Sequence, residues 1–162
     1  MGSHSQLLQL EALLDANDSA VTTLANASAF LYDCLDDVNW VGFYLLRGDI
    51  LALGPFQGKP ACTRIPVGKG VCGAAFAKKK TLRIDDVHAF EGHIACDTAS
   101  RSEIVVVLLD AFGEAFGVLD VDSPKRSRFS ARDQAFLERA AKIVSDAVSI
   151  TDQEETGIHD IY

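Results

Sequence analysis

The sequence predicts an α+β domain, with a central, largely antiparallel sheet and the helices from the two chain ends packed together on one face. Three observations carry this expectation. Apolar residues recur at helical spacing over residues 5–36 and again after Ser130. Between those ends, short aromatic and β-branched runs are separated by turn residues, as in hairpins. No internal repeat or linker divides the 162 residues, so residues 1–162 are expected to form a single domain with room for a proper core.

The elements follow in order. Leu7, Leu10 and Leu14 mark a first helix, and Val21, Leu24, Leu31 and Leu35 a second. Asn17-Asp18-Ser19 separates them with three good N-cap residues. Trp40–Leu46 and Ile50–Leu53 read as a hairpin around Arg47-Gly48-Asp49. The glycines and prolines of 54–60 predict a loop, and Cys62–Ile65 a short strand. Gly68-Lys69-Gly70 is too short for a phosphate loop and reads as a turn before a helix over Val71–Lys79. Leu82–Ile84 is a brief strand. The polar segment from Asp85 to Ser102 is then longer than the ~12–15 residues common for loops, which marks it as a candidate functional segment. Strands Glu103–Leu109 and Ala115–Asp122 follow. A last helix is capped by Ser130, with Phe136, Ala140, Ile143 and Ala147 on one face. The acidic tail from about Thr151 is expected to be frayed.

Charge and hydropathy narrow the function. The net charge of −8 argues against a phosphate-backbone binder, so no nucleic-acid partner is expected. The basic runs Lys78-Lys79-Lys80 and Lys125-Arg126-Ser127-Arg128 read as solvated loops. No apolar run approaches the ~20 residues of a membrane span, and no signal-peptide pattern opens the chain. A cytoplasmic location is therefore expected, where the four cysteines should be buried thiols, metal ligands or redox groups rather than structural disulfides.

Alternation along the strands places candidate site residues. Asp120 and Asp122 share one sheet face and Leu119 and Val121 the other. Two like charges on one face need water, a cation or a proton. Trp40, Gly42 and Tyr44 likewise share a face. A glycine between two aromatics means either close packing over it or a small aromatic-walled cavity. Glu103 is the one acid in its strand, either a solvated strand end or a carboxylate able to hold a cation or supply a proton.

The cysteines admit three readings. His88, His93 and Cys96 offer a metal-like spacing, but structural zinc sites show two paired ligand clusters, and only one is present. Core packing suits Cys34, on a helix near Leu31 and Leu35. It also suits Cys72, although a thiol at a helix start can instead be activated. Redox chemistry suits Cys96, in the long polar segment, and Cys62, in the Gly/Pro-rich one. That last reading needs the two to be spatial neighbours, which spacing leaves open.

The runs N39-WVGFYL, L53-GPFQGKPAC, G68-KGVC, H93-IACD, S102-EIV and G117-VLDVDS together resemble the free methionine-(R)-sulfoxide reductases, a family of GAF-domain enzymes. The likeness covers about residues 20–148 and departs from the family pattern at Val107, where a proline would be expected. The three cysteines in those surroundings are its most specific part.

The resemblance implies a single GAF domain that reduces free methionine-(R)-sulfoxide to methionine. It implies Cys96 as nucleophile, Cys62 as resolving cysteine and Cys72 as an auxiliary one. Trp40 and Tyr44 would wall the pocket, while Glu103, Asp120 and Asp122 would bind substrate and assist the chemistry. It further implies a Cys96 sulfenic acid resolved as an intramolecular disulfide, thioredoxin or an equivalent dithiol as reductant, no cofactor or metal, and a homodimer. The alternative from another class is a GAF module that senses a small ligand without turnover.

Overall fold

Serine caps set the first two helices. Ser3 and Gln6 exchange side chain–backbone hydrogen bonds in a capping box that starts α1 (His4–Leu13). Ser19 accepts from the Thr22 N–H at the start of α2 (Ala20–Cys34), so the chain breaks between the helices where the cap residues predicted. The structure, a computed structural model, describes residues 2–94, 96 and 99–151; the acidic tail beyond Thr151 lies outside the described residues.

β1 (Trp40–Arg47) and β2 (Ile50–Gly58) form the first hairpin, turning at Gly48 with a positive φ of 63°. β2 is longer than expected, because the ladder continues through Gly54 and Pro55. The register passes from Gly42↔Phe56 to Tyr44↔Leu53, so Phe43 faces two residues in a bulge. A proline, which has no N–H to donate, is tolerated at a bulge, and the Pro55 carbonyl accepts from Ser28 Oγ at 3.1 Å. This correction brings Phe56 into the sheet.

Next come β3 (Arg64–Pro66), starting later than Cys62, and α3 (Gly70–Lys78), which ends with Lys79 in the left-handed region. β4 (Leu82–Ile84) leads into the long segment, which includes a 3-10 turn at Val87–Ala89. β5 (Ser102–Leu109), β6 (Ala115–Ser123) and α4 (Ala131–Thr151) complete the chain. Every strand pairing is antiparallel, in the order β3-β2-β1-β6-β5-β4. Val107 pairs regularly with Val118 despite the missing proline.

Both faces of the sheet are covered. On one, α1, α2 and α4 bury Leu24, Leu31, Phe43, Ile104, Leu119, Val121 and Leu137 in the larger core, with Cys34 packed at its edge. The buried stripe of α4 runs through Phe136, Leu137, Ala140, Ala141, Val144 and Val148. Ile143 and Ala147, expected on one face with Phe136 and Ala140, lie half-buried on the flank of the stripe, because α4 rests on both the sheet and the other helices. On the other face, α3 and the loops cover Trp40, Tyr44, Leu51, Ile65, Val71, Val105 and Val118.

The expectation of solvated basic loops holds for Lys78, Lys79 and Lys80, which are exposed, but not for Arg128. Its guanidinium pairs with Asp133 at 3.0 Å and donates to the Asp36 carbonyl at 2.8 Å, tying the start of α4 to the end of α2.

Candidate active site

Register builds the site. Across β5, β6, β1 and β2, Glu103 lies opposite Asp122, which lies opposite Trp40. In the adjoining row, Val105 faces Asp120, Asp120 faces Gly42, and Gly42 faces Phe56. Because these positions share the face opposite the helical core, the three acids and the aromatics converge under α3 and the long segment. The three acids, Trp40 and Tyr44 line a cavity of about 40 Å³ together with Cys72, Cys96, His93, Ile94 and Ser100.

Gly42 settles between its two expectations in favour of close packing. A Cβ there would lie 2.4 Å from Phe56 Cβ and 2.7 Å from the Trp40 ring. Trp40 therefore lies flat over the glycine, stacked on Phe56 with centroids 5.2 Å apart and on Tyr44 at 5.9 Å. Trp40 and Tyr44 nonetheless wall the cavity. Phe56 was missed by sequence reasoning, because its glycine- and proline-rich surroundings hid its strand. His93, Ile94 and Ser100 were missed as cavity residues because a segment without periodicity gives no facing signal.

Glu103 and Asp120 are only 7% and 5% exposed, so neither is a solvated strand end. Burial, then the neighbouring Asp120, pushes the Glu103 carboxyl well above its ordinary range. Burial, then Asp122, does the same to Asp120, whose Oδ1 has no hydrogen-bond partner. Both carboxyls thus favour the neutral form more strongly than an exposed acid does. Asp122 is half-buried beside them. Burial followed by the charge of Asp120 raises Tyr44 as well, which keeps its phenol a donor.

Cys62 and Cys96 are joined by a disulfide, with their Cα atoms 5.4 Å apart. Spacing left their proximity open, and the fold brings them together at the cavity's edge. Cys72 is a buried free thiol 4.0 Å from Glu103 Oε2. Although it stands in the first turn of α3, burial and then Asp120 and Glu103 raise its pKa, so the helix start does not activate it. His88 is exposed, and His93 is held below its usual pKa by burial and by His88. With Cys96 in a disulfide, the His88-His93-Cys96 set lacks a thiolate and does not form a metal centre here. Cys72, Glu103 and Asp120 do place one ligand atom each within 4.8 Å of the others. Binding an ion there would require the ionised forms of these groups, which burial disfavours at all three.

A buried sheet face closed by helix and loop over a small polar-floored cavity is the architecture of the GAF domain, and the GAF domain family model matches residues 7–148. The chain is 51% identical over 144 residues to the free methionine-R-sulfoxide reductase of Escherichia coli, covering 89% of this chain and 87% of that protein. The Neisseria meningitidis free methionine-R-sulfoxide reductase, solved in complex with its substrate, superposes with a TM-score of 0.85 at 41% identity, over 96% of both chains. The Staphylococcus aureus fRMsr complex with substrate gives 0.84 at 46% identity, over 89% of this chain and 94% of that one. The chain belongs to the GAF-domain family and, within it, to the free methionine-R-sulfoxide reductases.

Proposed function

We propose that this protein reduces the free amino acid methionine-(R)-sulfoxide to methionine, with Cys96 as nucleophile and Cys62 as resolving cysteine. The observation that carries the assignment of roles is the Cys62–Cys96 disulfide at the edge of a cavity floored by buried acids. The Cys96 thiolate attacks the sulfoxide sulfur. The sulfoxide oxygen takes up protons as its bond to that sulfur weakens, and Glu103 or Asp120, whose neutral form burial favours, is suited to supply one. The oxygen ends on Cys96 as a sulfenic acid. The substrate sulfur gains two electrons and Cys96 loses two as methionine leaves. Cys62 then attacks the Cys96 sulfur, the S–O bond breaks, water departs and the disulfide forms. An external dithiol, in our reading thioredoxin, takes over the disulfide by exchange and regenerates both thiols.

Another of the three acids, ionised, would hold the substrate ammonium against the Trp40–Tyr44 wall. An enclosed cavity admits an amino acid but not a residue within a polypeptide, which favours the free substrate. Cys72 acts as an auxiliary group through Glu103. We further propose that the whole chain acts as one GAF domain, as a cytoplasmic homodimer.

The test is a single turnover. Reduced protein given racemic free methionine sulfoxide should release methionine and consume only the R-epimer, as followed by chromatography. Cys96→Ser should release none, whereas Cys62→Ser should still release one equivalent per chain. Release by Cys96→Ser would overturn the nucleophile assignment. Absence of methionine from the wild type would leave a ligand-sensing module as the reading.

A further inference from the structure

The two aromatic walls of the cavity have polar tips, and both tips point at the loop that carries Cys62. The Trp40 Nε1–H donates to the Lys59 carbonyl at 3.1 Å. The Tyr44 hydroxyl donates to the carbonyl of Cys62 itself at 3.0 Å. A third bond, from the Leu53 N–H to the Thr63 carbonyl at 3.0 Å, completes the set. Three carbonyls within one short loop are thus held by donors on β1 and β2, the two most central of which come from buried rings. Buried hydrogen-bonded aromatic tips are rigid, since rotating either ring away would leave a polar group unpaired.

We infer that Trp40 and Tyr44 are positioning residues for the resolving step: they fix the Cys62 loop so that the sulfenic acid on Cys96 meets a stationary thiol. The Cys62 side of the pair is thereby tied to the sheet. The inference rests on the proposed roles of Cys62 and Cys96. The step concerned is attack of the Cys62 sulfur on the Cys96 sulfur, forming the S–S bond, breaking the S–O bond and releasing water. A fixed thiol presents a higher effective concentration to its partner than one on a free loop.

Two measurements test this on the full-length protein. The first needs no sulfoxide. The Cys62–Cys96 pair is equilibrated in glutathione redox buffers, and the effective concentration of the two thiols is read by mass spectrometry after alkylation. Tyr44→Phe keeps the ring and removes the donor, and should lower that effective concentration about three- to tenfold, the scale of one net hydrogen bond. Tyr32→Phe, on the outer surface of α2, should leave it at the wild-type value. The second measurement follows one turnover with dimedone present. In Tyr44→Phe, disulfide closure should slow more than methionine release, and dimedone-labelled Cys96 should accumulate. Trp40→Phe, acting through Lys59, carries the same test if Tyr44→Phe fails to fold. Wild-type effective concentration and closure rate in the folded variant would overturn the inference. An absence of sulfoxide turnover in the wild type would instead strike at the proposed function, with the glutathione equilibrium still reporting on the loop.

Discussion

Asp120 concentrates the tension in the site, being a carboxyl buried opposite Gly42 with one oxygen unpaired. Its raised pKa has a consequence for stability. Between the unfolded carboxyl pKa, near 4, and its higher folded value, the native state binds more protons than the unfolded chain. Stability from this group is therefore fully present at acid pH and is lost as pH rises through the folded pKa. Asp120→Asn removes the titration. Relative to wild type, its melting temperature should rise between pH 5 and pH 8 by a few degrees, at ~2–4 °C per kcal/mol for a chain of this size. Thermal unfolding by circular dichroism at the two pH values checks this, and an equal difference at both would refute it. Alternation made the shared face of Asp120 and Asp122 legible in the sequence, as it did that of Trp40 and Tyr44. It could not show that Glu103 lies opposite Asp122, because register is set by turns and bulges elsewhere. Nor could it show that two acids are sealed from water, since burial depends on α3 and the long segment folding over them.

Among the elements, the start of α4 carries more than its cap. Ser130 was legible as the N-cap, and its Oγ does accept from the Asp133 N–H at 3.1 Å. The Asp133 carboxylate accepts in return from the Ser130 N–H at 2.8 Å and is paired with Arg128. Both charged side chains are largely buried, at 13% and 6% exposure. Asp133→Ala would leave the largely buried guanidinium without its carboxylate, so it should cost about 3–5 kcal/mol. Urea denaturation should show that loss, and a change within ~0.5 kcal/mol, as for an ordinary surface pair, would contradict it. The sequence hid this contact because Arg128 stands in a basic run, which by composition alone reads as solvent-facing. β2 was cut short for a similar reason. Glycine and proline are strong local breakers, yet the bulge at Phe43 uses both without ending the ladder.

At the scale of the whole molecule, the disulfide and the cavity are mutually constrained. With Cys62 and Cys96 joined, the disulfide holds Cys96 at the wall of the cavity of about 40 Å³. Opening the disulfide frees that wall to move away from an entering ligand. Reduced protein should accordingly bind methionine more tightly than the disulfide form, by about tenfold or more, since a ligand favours the state that can house it. Calorimetric titration of the two forms measures this, and equal affinities would show that the cavity is not limited by the disulfide. The sheet itself has a further consequence. Along β1 and β6, even-numbered positions hold Trp40, Gly42, Tyr44, Asp120 and Asp122, and odd-numbered ones hold Val41, Phe43, Leu45, Leu119 and Val121. Chemistry and cohesion are thus interleaved in the same strands like two messages written on alternate letters. Substitutions can edit either message separately, but a single inserted or deleted residue that the strand could not bulge out would exchange them, turning acids into the oily core and oily residues into the site.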